Sequence, residues 1–141
     1  MKKTQENILI YAIHFFNKKG VGNVRLQEIA KKVDISTGNL AYYYPQKKDL
    51  IEGVLAYMTT AWKENSSQNM AYIERNDYVA TIKNYLSFQI RHRFFYRDIL
   101  DISSFVPAAK ALFEKQMELF LPMNSDVMLR AGFILFFELK L

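Results

Sequence analysis

Nine Lys/Arg against five Asp/Glu fall within residues 1–53, a net of +4, while residues 54–141 carry ten against nine, a net of +1. Most of the chain's formal +5 therefore sits in its first third, the distribution expected of a surface that attracts an anionic partner. Residue types that carry covalent or metal chemistry are scarce elsewhere. With no cysteine there is no disulfide framework, thiolate metal site or cysteine nucleophile. His14 and His92, the two histidines, are not spaced with carboxylates as metal ligands are. No nucleophile–base pair, phosphate-cradling glycine loop or paired-carboxylate motif is legible, so neither catalysis nor a metal nor a cofactor is expected. Arg97 and Asp101 are spaced i,i+4 and predict a helix-surface ion pair. Lys31, Lys32 and Lys48 are expected to face solvent.

The elements that must position these groups are helical. A chain of 141 residues, 50% hydrophobic and 23% charged, suits one compact domain or a small module carried on a second helical layer. Thr4 is placed to cap a helix to about Lys19, with Ile8, Ala12, Phe15 and Phe16 on one face and Gly20 ending it. A second helix of barely two turns, about Arg25 to Val33, carries the apolar stripe Leu26, Ile29, Ala30 and Val33. Asp34 then stands where a steep turn needs a left-handed residue, and Ser36 can cap a third short helix, Thr37 to about Tyr44, which Pro45 stops. Asp49 to about Lys63 repeats apolar residues at three and four, and the polar stretch Glu64 to Asn69 predicts a linker or break. Asp77 is expected to cap a helix through Val79, Ile82, Leu86 and Ile90 to about Tyr96, Pro107 and Pro122 bracket another, and Ser125 or Asp126 starts a last one reaching Leu141. No two-residue alternation occurs, so the fold class is all-α. Lys2 and Lys3 lead into polar residues rather than an apolar run, and Val127–Leu141 is short and charged. A soluble, cytoplasmic protein with no membrane partner is expected.

Two short helices joined by a tight turn, the second opened by a capping serine, are the pattern of a helix-turn-helix, whose second helix lies in the DNA major groove. Here the sequence resembles the TetR family of transcriptional regulators, from Ile8 to about Leu55, through the apolar first helix ending at Gly20, "LQEIAKKVDIS" and "TGNLAYYYPQKKDL". The resemblance implies an N-terminal three-helix DNA-binding domain with a helix-turn-helix, residues 1–48, followed by a C-terminal helical ligand-binding and dimerisation domain, residues 49–141. It implies that Ser36 caps the recognition helix and meets phosphate, that Thr37, Gly38 and Asn39 face the groove, and that Leu40 points inward. Tyr42 and Tyr43 match positions that meet the phosphate backbone, Tyr44 matches a buried aromatic, and Lys47 matches a phosphate-binding lysine. Gln27 is a candidate base or backbone contact.

The chain departs from the family at Val24 and Arg25, where a threonine is usual, so that Arg25 becomes a phosphate contact by charge with Asn23 as the available cap, and at Ala41, where a tyrosine is usual. The implied partners are a double-stranded operator, a second copy of the chain in a homodimer and a small-molecule effector, with Phe88, Phe113 and Met117 as candidate pocket residues. The same aromatics at helical spacing also suit plain core. Residues 133–137 are apolar around much of a helix and predict cover by a partner subunit. The chain is shorter than most of that family, so a short or truncated member is expected. The alternative is a helical ligand-binding or protein-interaction module whose DNA-binding head has degenerated.

Overall fold

Apolar side chains at Ile8, Leu9, Ala12, Ile13 and Phe16 give the first helix a face to bury, and α1 (Lys3–Lys19) buries all five. The structure, a computed structural model, describes residues 3–117. Thr4 lies within α1 rather than before it, because the helix is already formed at Lys3. Gly20 ends α1 at φ +87°, a left-handed conformation natural to glycine, and its N–H returns to Phe16 O at 3.0 Å.

After α2 (Leu26–Val33), Asp34 takes φ 60° and ψ 49°, the left-handed state expected of it. Its N–H and that of Ile35 reach back to Lys31 O and Ala30 O, closing the end of α2 and turning the chain steeply. Ser36 Oγ accepts the Asn39 N–H at 3.1 Å and opens α3 (Thr37–Tyr43). Arg25 precedes α2 without a side-chain cap, since guanidinium carries no acceptor; Glu28 instead accepts the Arg25 N–H at 3.2 Å. Asn23 donates to Lys19 O and caps nothing in α2.

α4 (Lys47–Glu74) is one continuous helix through the polar stretch 64–69, where a break was expected. Asn65 and Asn69 there face a partner helix, while Glu64, Ser67 and Gln68 remain exposed. Asn69 is buried, and the amides of Asn65, Asn69 and Asn84 hydrogen-bond one another across to α5 (Tyr78–Arg91). α4 therefore runs through the anticipated domain division at residue 48, and one cluster of buried side chains extends from Ile8 to Ala109.

Asp77 caps α5 as expected, its Oδ1 accepting the Ala80 N–H at 3.0 Å. The buried face, however, is Tyr78, Thr81, Tyr85 and Phe88, while Leu86 and Ile90 are exposed. α5 also stops near His92 rather than running to Tyr96. The Phe94 N–H is taken by the side chain of Asn17 at 2.9 Å, so the helical ladder is diverted, and a separate turn, α6 (Arg93–Arg97), follows. α7 (Ile99–Phe105) comes next, and the backbone is helical again over 108–117, beyond Pro107. No strand occurs among the described residues, and the fold is all-α. The anticipated last helix, the apolar residues 133–137 and the far end of the Pro107–Pro122 helix lie outside the described residues.

Candidate nucleic-acid interface and ligand cavity

α3 has seven residues, and Leu40 is its one buried side chain. Leu40 anchors the helix in the core at 1% exposure, and the opposite side is open: Ser36, Thr37, Gly38, Asn39, Ala41 and Tyr42 are all exposed. Thr37 and Asn39 side chains make no hydrogen bond among the described residues, so their donors and acceptors are available to an outside partner. A Cβ built at Gly38 meets nothing nearer than Ser36 Oγ at 3.9 Å, so no internal packing requires glycine there. Tyr42 is 76% exposed, and Tyr43, half-buried, supports its ring edge-on at 5.2 Å.

Arg25 and Gln27 are also exposed, at the beginning of α2. Lys47 sits differently. Its Nζ donates to Gly22 O at 2.8 Å and lies 5.4 Å from the Phe105 ring, tying the start of α4 to the α1–α2 loop and to α7. Burial lowers its pKa, with Asp101 acting in the opposite direction. Two further ammonium protons remain. Behind α3, Tyr44 is buried as expected, and its ring covers Gly53 of α4 so closely that a Cβ there would stand 2.6 Å from Tyr44 Cε1.

A polar joint missed at the level of sequence fixes this head to the later helices. Arg97 donates to Phe16 O at 2.8 Å and Asn17 O at 3.1 Å, satisfying carbonyls at the end of α1. Asp98 accepts the Val21 N–H at 2.9 Å, and Asn17 spans to both Arg91 O and the Phe94 N–H. The guanidinium beside Asp98 holds that carboxyl below its usual pKa range, with burial opposing and the Val21 N–H reinforcing. Arg97 thus pairs with Asp98 at 2.6 Å and not with Asp101, because α6 ends at Arg97 and no helical turn carries the i,i+4 geometry across. "HRFFYRDIL" held the signal, an adjacent Arg–Asp pair in an aromatic run, but its partners lie about eighty residues away in sequence.

A cavity of about 380 Å³ opens between α4 and α5, lined by Trp62, Met70, Tyr85, Tyr96, Gln116 and Met117 among others. Of the three anticipated pocket residues, Met117 lines it. Phe88 packs against the His92 ring at 4.3 Å, and Phe113 packs on Phe95 and Tyr96. Burial pushes the Tyr96 phenol up to about 12 and raises Tyr85 as well, so both are neutral donors at physiological pH. His92, buried with Nδ1 3.0 Å from Phe88 O, has its pKa lowered by desolvation and serves the core. Among the described residues no group of three metal-ligating side chains forms. No helix there is long and apolar enough to cross a membrane.

Residues 8–54, which contain the exposed α3, match the family described as bacterial regulatory proteins, tetR family. Over this segment the chain is similar to the DNA-binding region of TetR-family regulators. It is 29% identical over 119 residues to the HTH-type transcriptional regulator RutR of Escherichia coli (strain K12), covering 84% of this chain and 50% of that protein. It is 26% identical over 104 residues to the probable HTH-type transcriptional regulator YttP of Bacillus subtilis (strain 168), covering 68% of this chain and 50% of the relative. A TetR-family transcriptional regulator from Marinobacter aquaeolei VT8 shares the fold, with a TM-score of 0.68 and 22% identity over 92% of this chain and 64% of that one. The chain spans about half the length of the curated relatives it matches.

Proposed function

We propose that the chain is a regulator of transcription rather than an enzyme, and that it binds a pseudopalindromic operator as a homodimer and releases it in response to a small molecule. The observation that carries this reading is the openness of α3, where a single buried leucine holds a helix whose other groove-sized face is polar and unpartnered. In this reading Thr37, Gly38 and Asn39 enter the major groove. Asn39 reads an adenine edge, Gly38 lets the backbone come close, and Ser36, Tyr42, Tyr43, Arg25, Gln27 and the free protons of Lys47 hold phosphates. A dimer places two such helices about 34 Å apart, in successive grooves. Repression follows where the operator overlaps a promoter.

Residues 1–48 act as the DNA-binding head and residues 49–141 as the regulatory part. The two communicate through α6. Tyr96 forms part of the cavity wall, and the next two residues, Arg97 and Asp98, hold the end of α1 and the Val21 N–H. A ligand that prefers one placement of Tyr96 shifts the head by its difference in affinity for the two placements, and by no more. Selection of bound fragments from random duplex DNA, followed by anisotropy titration at several salt concentrations, tests the reading. Enrichment of a two-half-site sequence, with affinity weakened by Tyr42→Ala, supports it; failure to enrich any sequence refutes it.

A further inference from the structure

The cavity's chemistry narrows what enters it. Three aromatic rings, Trp62, Tyr85 and Tyr96, and two methionines make its walls largely apolar, a setting that favours a flat aromatic body. No carboxylate lines it among the described residues, which removes the partner a cationic ligand needs. Its one lysine, Lys63, is exposed, so a bound anion would be left in an apolar chamber with its counter-charge in water.

Among the polar groups that line it, Ser67 donates to Lys63 O and the Ser66 hydroxyl is part-exposed. The Asn69 amide is consumed by Asn65 and Asn84, and the Asn65 amide donates to Asn84 O. Gln116 is different. It is 2% exposed, its Oε1 faces the Tyr96 hydroxyl at 3.5 Å, and its Nε2 has no hydrogen-bond partner among the described residues. A buried amide donor with nothing to donate to is costly, and an acceptor delivered into the cavity removes that cost.

We propose that the cavity binds an uncharged aromatic molecule bearing one carbonyl oxygen, which accepts from Gln116 Nε2 while the ring packs among Trp62, Tyr85 and Tyr96. This rests on the effector reading given above and adds the chemical class of the effector. A ligand lacking the oxygen leaves Gln116 unpaired and binds worse, as sites built around a hydrogen bond discriminate strongly against analogues that cannot make it.

Three probes of similar size test this on the full chain: acetophenone, ethylbenzene and benzoate, titrated by calorimetry, with the emission of Trp62, the one tryptophan, as a second signal. Acetophenone is expected to bind roughly tenfold or more tightly than ethylbenzene, and benzoate weakest. Gln116→Leu is expected to erase the acetophenone preference while keeping ethylbenzene binding. Equal binding of acetophenone and ethylbenzene, benzoate as the tightest probe, a preference that survives Gln116→Leu, or no binding of any probe overturns the proposal. Should Gln116→Leu fail to fold, the ranking of the three probes on the unmodified chain still decides. If acetophenone binds in the expected pattern yet leaves DNA affinity unchanged, the ligand class stands and the effector reading falls.

Discussion

Replacing Gly38 by alanine separates what α3 does for the fold from what it does for a partner, because the two effects have opposite signs. In the folded chain the added methyl meets nothing closer than Ser36 Oγ at 3.9 Å, so no clash opposes it. Alanine also removes glycine's excess freedom in the unfolded chain, and the expected gain is about 0.4–1 kcal/mol of stability, seen as a higher urea midpoint and a Tm raised by a few degrees. In the DNA complex proposed above, the same methyl stands where α3 approaches the groove floor. Loss of close contact there is expected to cost about 1–3 kcal/mol, as one wrong base pair does, or roughly 5- to 150-fold in affinity. Urea unfolding and fluorescence anisotropy on one preparation measure both. A destabilised Gly38→Ala chain would refute the open placement of this position, and a stabilised chain with undiminished DNA affinity would refute the close approach of α3 to DNA.

Gly53→Ala should behave in the contrary way: helix propensity favours alanine by about 1 kcal/mol, but the methyl would press within 2.6 Å of the buried Tyr44 ring, an overpacking that costs about 1–3 kcal/mol. A net loss in urea unfolding is expected, turning into a gain when Tyr44 is first shortened to alanine. Stability should fall as pH drops below about 6.5, because burial lowers the folded pKa of His92 and the unfolded chain takes up its proton first; His92→Gln should flatten that part of the profile. Asp98, lowered by Arg97, contributes stability above its unfolded value near 3.8 that is lost at still lower pH, and Asp98→Asn removes that second fall. Arg97→Ala should leave probe binding in the cavity intact while weakening the effect of a bound ligand on DNA affinity, measured by anisotropy with and without saturating ligand.

What the sequence makes legible is whatever neighbours in the chain decide. The α2–α3 turn needs a left-handed residue and a cap within three positions, and Asp34 and Ser36 supply both locally. Gly20 ends α1 for the same kind of reason. The exposed set on α3 follows from Leu40 alone, since a seven-residue helix anchored on one side leaves the other free. Illegible features depend on distant partners. Asn65 and Asn69 of α4 look like part of a linker until Asn84 is known to face them, and the end of α5 is dictated by Asn17, 77 positions before Phe94. Lys47 resembles a purely external contact, yet Gly22 and Phe105 share it. The cavity was likewise hidden, because Trp62, Tyr85, Tyr96 and Gln116 share no stripe of one helix and converge only through packing.

The most direct test of the central claim is a backbone amide chemical-shift map of the chain with and without a selected operator duplex. The largest changes are expected at Ser36 to Tyr43, with smaller ones at Arg25 and Gln27, and little at the buried face of α5. Changes concentrated around Trp62 and Tyr85, with residues 36–43 unmoved, would contradict it.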